Sequence, residues 1–325
     1  MVKAIRIHKA GGPEELKWED IDVPEPGEGE VRIKHTAVGL NFIDIYFRKA
    51  IYPPPGYPFI PGMEAAGVVT AVGPGLTGCK VGDRVACAGR PMGAYAEERV
   101  IPANVLVPLP DNISDELAAA SLLKGMTAHI LLRRVFKVEK GHRILVHAAA
   151  GGVGQILVQW AHSLGATVIG TAGSEEKIKL VKDLGADHVI NYKTQDFVQE
   201  VRNITNGAGV HVVYDSVGKD TFYGSLDCLA PLGTLAVFGA SSGAPEPFSI
   251  SELAKRGSLS VTRPSLMDYT KTREDLLTSA GELFQMLAGG LVKVSVGNRF
   301  PLGEAQKAHE ALEGRHTTGS TVLVP

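Results

Sequence analysis

Apolar and polar positions in the middle of the chain alternate between short apolar runs and amphipathic segments. The run Ile144–Val146 leads into a glycine-rich turn, and the turn leads into a segment at 155–161 with apolar residues at helical spacing. A further helix is predicted at Glu175–Leu184. Other β-branched runs are predicted as strands, at Thr167–Thr171, His188–Asn191, Val210–Tyr214 and Thr234–Phe238. Strands that alternate with helical segments in this way form a doubly wound parallel sheet, the Rossmann architecture.

The glycine-rich turn matches a dinucleotide-binding fingerprint. Aligned to G-x-G-x-x-G it reads AAGGVG at 149–154, with alanine in place of the first glycine. Gly151 would let the backbone approach a pyrophosphate, and Gly154 would let the helix pack closely on the sheet. Gly152 and Val153 belong to the turn, and the N-terminus of the helix that follows offers free N–H groups and a partial positive charge to the phosphates. The alternative is an ordinary tight turn, and the flanking strand and helix favour the nucleotide site.

The first part of the chain has a different pattern, with short strands separated by prolines and glycines. Strands are predicted there at Val2–His8, Glu30–Val38, Gly67–Val72 and Gly82–Ala86. Ser114 is a candidate N-cap for a helix that starts at Asp115. The end of the chain is predicted to form helices at Arg273–Ala288 and Ala305–Leu312 and a strand at Ser320–Val324. We expect a β-rich domain at 1–125 and 266–325, with a Rossmann domain inserted at 126–265.

Composition and charge argue against several classes of protein. Apolar residues make up 44% and charged residues 21% of the 325 residues, as in an ordinary globular enzyme. The formal net charge of -2 provides no basic surface for nucleic acid. No apolar run reaches the roughly 18 residues of a membrane span, and no signal peptide is evident. An odd number of cysteines argues against a disulfide framework and favours a reduced, cytoplasmic protein; they are Cys79, Cys87 and Cys228.

Several motifs along the chain together resemble a known family. They are NFIDIY at 41–46, PGMEAAG at 61–67, GDRV at 82–85, HAAAGGVG at 147–154, YDSVG at 214–218 and VTRPS at 261–265. The combination is similar to the zinc-independent, zeta-crystallin-like quinone oxidoreductases of the medium-chain dehydrogenase/reductase superfamily, over essentially the whole chain. The resemblance implies a GroES-like β-rich catalytic domain, a Rossmann domain that binds NADPH, an active cleft between them, and dimers or tetramers.

The residues at the positions of the family's zinc ligands do not suit a metal. Zinc-dependent relatives have a histidine where this chain has Met63, and a thioether is a poor substitute for an imidazole. The stretch that starts at Asn41 has no thiol, and Cys87 has no Cys-x-x-Cys partner. We therefore expect no metal. Without a Lewis acid, alcohol oxidation is a poor fit, and reduction of an electron-poor quinone or activated enone is favoured.

The end of the second Rossmann strand favours NADPH over NADH. A carboxylate usually binds the ribose 2′-hydroxyl of NAD here, whereas this chain has no acid before Glu175. Gly173 and Ser174 leave room and donors for a 2′-phosphate, and Lys177 is placed to supply a cation. By resemblance Tyr192 also lines this pocket. The alternative is that Lys177 is a solvated helix residue and Tyr192 a strand-end aromatic.

The resemblance also suggests residues that act at the nicotinamide. Asn41 would fix the ribose or a substrate carbonyl, and Tyr46 would donate a hydrogen bond or a proton. Tyr52 is a similar candidate in a proline-rich loop. Asp44 is either an orienting residue or a turn acid. The alternative roles of Asn41 and Tyr46 are a turn residue and a core aromatic.

Other cofactor contacts are expected at the carboxyl edge of the Rossmann sheet, where ligands bind in such folds. By resemblance Thr127 contacts the cofactor from a junction helix, and Arg263 reaches the cofactor or a partner chain. His147 is expected to be a core histidine. The remaining candidates follow the fourth and fifth strands and are Ser216, Phe238, Gly239 and Ser241.

These residues predict an NADPH-dependent, metal-free quinone reductase that is cytoplasmic and dimeric. Whether the acceptor takes one electron or two is open. An enzyme alternative is an NADPH-dependent enone or enoyl-thioester reductase, although no cationic rim for a carrier phosphate is evident. An alternative of another class is a structural or RNA-binding protein, which the charge balance disfavours. The run at 259–262 is a candidate edge strand for a two-fold interface.

Overall fold

The structure, a computed structural model, describes residues 1–314 and 316–325 and separates into two compact units. Unit 1 comprises Met1–Met126, Thr270–Ala288 and Val294–Pro325. Unit 2 comprises Thr127–Tyr269 and Gly289–Lys293. The sequence prediction assigned 126–265 to the Rossmann domain, so the two divisions differ mainly in the short segment 289–293, which lies with unit 2.

The elements follow one another along the chain in three stretches. The first contains β1 Val2–Arg6, β2 Lys17–Ile21, β3 Glu30–Leu40, α1 Phe42–Arg48, β4 Glu64–Val72, β5 Arg84–Ala88, β6 Glu98–Pro102, β7 Val107–Pro108 and α2 Asp115–Ile130. The second contains β8 Arg143–Val146, α3 Gly152–Ser163, β9 Thr167–Ala172, α4 Glu175–Asp183, β10 His188–Asn191, α5 Phe197–Ile204, β11 Val210–Asp215, α6 Phe222–Cys228, β12 Leu229–Val237, α7 Ser251–Lys255, β13 Ser260–Thr262 and α8 Leu266–Tyr269. The third contains α9 Arg273–Ala288, β14 Val296–Pro301, α10 Ala305–Glu313 and β15 Ser320–Val324.

Unit 2 is a doubly wound α/β domain, and the predicted Rossmann class is confirmed. Its six strands lie in the order β10-β9-β8-β11-β12-β13, and every pair is parallel. The strand order reverses between β8 and β11, which is where such sheets bind ligands. The central strands are buried on both faces, as their continuous apolar runs require; fully buried examples are Leu145, Ile169, Val213 and Leu235.

Unit 1 is built on a mixed seven-stranded sheet, in agreement with the predicted GroES-like β-rich class. Its strands lie in the order β14-β15-β3-β4-β5-β7, and β6 also pairs with β3. β1 and β2 form a separate antiparallel pair. Because β15 pairs with β3, the last segment of the chain returns to the first, as the pattern predicted.

Most predicted elements are present, and some of their bounds differ. The strand predicted to reach Phe238 ends at Val237, and the strand predicted to reach His8 ends at Arg6. The helix α1 directly after β3 was not predicted, because Ile43 and Ile45 are β-branched and the segment is short. Ser114 caps α2 as predicted, since its Oγ accepts the Leu117 N–H at 3.1 Å.

The described residues contain neither a membrane-spanning helix nor a cluster of metal ligands. None of the helices described at 1–314 and 316–325 is long and apolar enough to cross a membrane. Within the same residues no group of three or more histidine, cysteine, aspartate or glutamate side chains is arranged to hold a metal ion. All three cysteines are free thiols.

Candidate active site

The glycine-rich turn of unit 2 connects β8 to α3 at the point where the strand order reverses. Gly151 is the N-cap of α3, and the N–H groups of the first helical turn follow it. A methyl group on Gly154 would lie 2.4 Å from the carbonyl oxygen of Ala148, so only glycine fits this close contact. The turn therefore has the open backbone and the helix N-terminus that a pyrophosphate requires. Gly152 and Val153 are the first residues of α3 and are partly exposed.

Ala148 at the start of this turn has a strained backbone that a polar cluster holds in place. Its φ is 49°, an uncommon value for a non-glycine residue. Thr171 of β9 accepts the Ala148 N–H on its Oγ1 at 3.3 Å and the Ala149 N–H on its carbonyl oxygen at 3.0 Å. The same Oγ1 lies 3.2 Å from Nδ1 of His147. Thr171 therefore fixes the first residues of the turn to the neighbouring strand.

His147 links Thr171 to a second buried group. Its Nε2 lies 3.0 Å from Oγ of Ser225, and that hydroxyl donates to Asp215 Oδ2 at 3.3 Å. Burial lowers the pKa of His147, so the ring is neutral at neutral pH. His147 is completely enclosed, as expected for a core histidine. The role of Thr171 was missed, because a threonine at a strand end has no distinctive sequence pattern.

The end of β9 places four predicted residues together. Ser174 caps α4 and accepts the Lys177 N–H on its Oγ at 3.3 Å. A methyl group on Gly173 would lie 2.5 Å from the Tyr192 hydroxyl, so the tyrosine lies over the glycine. Tyr192 is 46% exposed and Lys177 is partly exposed. Gly173, Ser174, Tyr192 and the backbone of Lys177 thus lie together at the end of β9, where the sequence has no acid between Thr171 and Glu175.

The loops after β11 and β12 bring together another predicted group. Ser216 follows β11, and its carbonyl oxygen accepts the Ser241 N–H at 3.1 Å. The Phe238 N–H donates to the Asp215 carbonyl at 2.8 Å. A methyl group on Gly239 would lie 2.6 Å from the Ser216 carbonyl oxygen. Arg263 donates to the carbonyl oxygens of Val237 and Gly239, at 2.9 and 3.3 Å.

The predicted catalytic residues of unit 1 lie on and next to α1. Asn41 is the N-cap of α1, and its side chain is almost fully buried. The rings of Tyr46 and Tyr52 meet edge to face, with their centroids 5.2 Å apart. Thr127 lies in α2 and is the first residue of unit 2.

A buried carboxylate, Glu64, binds the side chain of Asn41 directly. Asn41 Nδ2 donates to Glu64 Oε2 at 2.7 Å, and the Leu123 N–H donates to Oε1 at 2.7 Å. Lys124 Nζ lies 3.2 Å from the same Oε2. Gly39 leaves room for this carboxylate, since a methyl group there would lie 2.4 Å from Oε2. Glu64 lies in the PGMEAAG motif at 61–67, and nothing in the sequence context of Glu64 or Lys124 predicted that they meet.

Asp44 belongs to a second buried chain of polar groups. Its Oδ2 accepts the Asn41 N–H at 2.9 Å and the Tyr95 hydroxyl at 3.3 Å, whereas its buried Oδ1 has no partner among the described residues. Burial raises the pKa of Asp44 to about 7. Tyr95 also lies 3.0 Å from His309 Nε2, and Arg48 Nη1 lies 2.9 Å from His309 Nδ1. Burial and the Arg48 charge lower the pKa of His309 to about 3.

These contacts decide between the two roles expected for Asp44. Its carboxylate caps α1 and accepts the N–H of Asn41, so it orients the residue that begins the helix. The amide of Asn41 is itself engaged by Glu64 on its nitrogen. The second N–H of this amide has only the Gly39 carbonyl oxygen as a partner, at 3.5 Å, so it is weakly held.

Two family models match separate parts of the chain. The family model of the alcohol dehydrogenase GroES-like domain matches residues 27–111, and that of zinc-binding dehydrogenases matches residues 152–280. A 2-haloacrylate reductase of a Burkholderia species is 48% identical, with 100% of this chain and 99% of that protein covered. Quinone oxidoreductase 1 of Escherichia coli is 47% identical, with both chains covered completely.

Solved structures give the same result. The crystal structure of an Escherichia coli quinone oxidoreductase in complex with NADPH superposes with a TM-score of 0.97 at 47% identity. The match covers 99% of this chain and 100% of that one. The resemblance noted from the sequence motifs is thereby confirmed. The chain belongs to the quinone oxidoreductase family of the medium-chain dehydrogenase/reductase superfamily.

Proposed function

We propose that this protein is an NADPH-dependent oxidoreductase that reduces quinones without a metal ion. The observation that supports NADPH most directly is the group of residues at the end of β9. Lys177 and Ser174 provide a cation and a hydroxyl there, and no carboxylate precedes Glu175 to repel a 2′-phosphate. The Escherichia coli relative was crystallised with NADPH, which supports the same choice.

The residues of unit 2 suit a dinucleotide along its whole length. The turn at Gly151–Gly154 would hold the pyrophosphate, and Lys177 with Tyr192 would hold the adenosine 2′-phosphate. The loop with Ser216, Phe238, Gly239 and Ser241 would line the nicotinamide end, and Arg263 braces that loop. When bound, NADPH supplies a hydride. The protein residues position the acceptor and stabilise the charge that forms on it.

Independence from metal is supported by the side chains in unit 1. Met63 stands where zinc-dependent relatives have a histidine, and it is buried. The stretch that starts at Asn41 has no thiol that could serve as a zinc ligand, and the Asn41 side-chain N–H donates to Glu64. Zinc prefers imidazole, thiolate and carboxylate ligands, so this donor set does not suit it.

The acceptor class follows from chemistry that two relatives share. Their names specify a quinone and a 2-haloacrylate, which are both electron-poor conjugated molecules. Hydride addition to such acceptors places negative charge on an oxygen. A quinone accepts that charge more readily than an unactivated alkene does, and we therefore propose a quinone as the substrate.

We propose that the protein acts as a homodimer in the cytoplasm. β13 is an edge strand of the unit 2 sheet, and edge strands pair readily across a two-fold axis. Free thiols at Cys79, Cys87 and Cys228 suit a reducing compartment. Light scattering tests the dimer, and a mass near the monomer's 34.4 kDa would contradict it. Cell fractionation tests the location.

One kinetic experiment tests the activity. The oxidation of NADPH and of NADH is followed by absorbance with 1,4-benzoquinone, before and after treatment with a strong chelator. We expect rapid turnover that is selective for NADPH and unchanged by chelation. Turnover with an α,β-unsaturated ketone or 2-chloroacrylate but not with quinones would replace the proposed substrate, and loss on chelation would contradict metal independence.

A further inference from the structure

Lys124 places a positive charge deep inside unit 1. It lies in the middle of α2, and its side chain is only 9% exposed. Its ammonium group has three N–H donors. Glu64 Oε2 lies 3.2 Å away and the Leu40 carbonyl oxygen 3.5 Å away, and neither distance is short. Among the residues that the structure describes, Lys124 has no other hydrogen-bond partner.

Glu64 does not need this cation to satisfy its hydrogen bonds. Its two oxygens already accept the Leu123 N–H and the Asn41 amide, both at 2.7 Å. The ammonium contact is the longest of the three. Lys124 therefore acts on the carboxylate mainly through its charge, and its N–H groups are only loosely held by it.

The buried ion pair of Lys124 and Glu64 is expected to contribute little to the free energy of unfolding. Desolvation of two charges offsets most of their attraction, and well-packed apolar residues often stabilise such a site equally well. A buried charge cluster of this kind is instead typical of functional sites. Lys124 shares Glu64 with Asn41, the residue proposed to act at the nicotinamide. The Asn41 amide has one N–H on Glu64 and the other 3.5 Å from the Gly39 carbonyl oxygen. The ammonium has three N–H groups and two long contacts, and of these two donors it is the one that carries a positive charge for an anion.

We infer that Lys124 is a catalytic residue whose ammonium donates a hydrogen bond to the acceptor oxygen that becomes negative. This inference rests on the proposed quinone reduction. Hydride transfer from NADPH to a quinone gives NADP⁺ and the hydroquinone monoanion, and a proton from water then gives the hydroquinone. The fixed ammonium would stabilise the monoanion as it forms, which is the role that a metal ion has in zinc-dependent relatives.

Three variants test this role against a purely structural one. In Lys124→Met the cation is lost and Glu64 is left as a buried charge without a counter-ion. The double variant Lys124→Met/Glu64→Gln removes both charges at similar volume. The glutamine oxygen can accept the Leu123 N–H, and the Asn41 amide turns over so that its oxygen accepts from the glutamine NH2. Glu64→Gln alone is the matched control. We expect both variants that lack Lys124 to lose about 100-fold or more in kcat, as for removal of one oxyanion donor.

The double variant separates the two explanations. If Lys124 only balances Glu64, neutralising both would restore thermal stability and also kcat. If Lys124 acts on the acceptor, the double variant regains stability, measured by thermal unfolding, but kcat stays low. A double variant that turns over quinone at the wild-type rate would overturn the inference and leave the proposed function intact.

A binding measurement provides a second test that does not depend on turnover. The probe is 2-hydroxy-1,4-naphthoquinone, which is an anion at neutral pH, and neutral 1,4-naphthoquinone serves as its reference. In the presence of NADP⁺ we expect the loss of Lys124 to weaken binding of the anion about 10-fold or more and to leave the neutral quinone unchanged. Equal affinity of the wild type and the double variant for the anion would contradict the role of Lys124, even if the wild type reduced no quinone.

Discussion

The hydroxyl of Tyr95 lies between Asp44 and His309 and donates to Asp44 Oδ2 at 3.3 Å. The direction in which these hydrogen bonds are donated follows from Arg48, whose guanidinium can only donate. Its guanidinium donates to His309 Nδ1, so the neutral imidazole carries its proton on Nε2 and donates to Tyr95. Arg48 also binds Glu313 at 2.5 Å, and this carboxylate is partly exposed. This series of hydrogen bonds thus extends from the cap of α1 to the surface of α10.

We predict that Tyr95→Phe raises the pKa of Asp44 further above its present value of about 7. The substitution removes a donor that favours the carboxylate and leaves the His309 N–H without an acceptor. We expect unfolding free energy to fall by about 1–3 kcal/mol. Carboxyl titration by NMR gives the pKa, and Tyr214→Phe, which removes a buried hydroxyl in unit 2, is the control. An unchanged Asp44 midpoint in Tyr95→Phe would show that the hydroxyl does not influence the carboxyl.

Acid should destabilise the protein through its buried histidines. Burial lowers the pKa of His35 and of His309 from 6.5 to about 3. Between these values the unfolded chain binds protons that the folded chain excludes, so stability decreases as pH falls from 6.5 towards 3. Asp44 acts in the opposite sense, because its pKa is raised from 3.8 to about 7 and its folded form gains the proton.

Urea unfolding at a series of pH values measures this dependence. Each buried histidine contributes a slope of up to about 1.4 kcal/mol per pH unit. His35→Gln removes one of these histidines. We expect it to reduce the slope of the unfolding free energy against pH, between pH 6.5 and 4, by the equivalent of about one proton. A slope equal to that of the wild type would mean that His35 is protonated in the folded state.

Thr171→Val should weaken NADPH binding. The valine keeps the shape of the side chain but removes the oxygen that accepts the Ala148 N–H and faces His147. The strained start of the glycine turn then loses a restraint, and we expect the Kd for NADPH to rise about 10-fold, the equivalent of one hydrogen bond. Cofactor fluorescence measures the Kd. Thr171→Ser retains the hydroxyl and should bind as the wild type does, and equal weakening in both variants would argue against the hydrogen bond.

Lys177→Ala should reduce the preference for NADPH. Loss of a charged donor to the 2′-phosphate is expected to lower kcat/KM for NADPH by about 10- to 100-fold and to leave kcat/KM for NADH unchanged. Lys179→Ala is the control on the same helix, because Lys179 pairs with Asp183 at 2.7 Å on the exposed face of α4. Equal effects of the two substitutions would assign the result to general surface charge.

The fold was largely predictable, because the β8–α3 turn and the apolar strands have strong local patterns. The helix α1 was missed, since Ile43 and Ile45 favour strands and the helix has only seven residues. Its start is fixed by a contact between the Asn41 N–H and the Asp44 carboxylate, which local propensity does not reveal.

The candidate site was predictable only where it depends on local motifs. The turn at 151–154 and the cap at Ser114 depend on neighbouring residues, and both were predicted from the sequence. The contact of Lys124 with Glu64 joins α2 to β4, and that of Tyr95 with His309 joins a loop to α10. Such pairs become neighbours only through the packing of distant segments, so a single sequence provides no pattern for them.

The pairing of β15 with β3 has a consequence for synthesis on the ribosome. All strands of the unit 2 sheet leave the ribosome before β14 and β15, which the sheet of unit 1 needs. The segment that is translated first must therefore wait for the segment that is translated last, while unit 2 is free to fold in between. During this interval residues 38–40 at the end of β3 lack their β15 partner, and this short unpaired edge can pair with another chain.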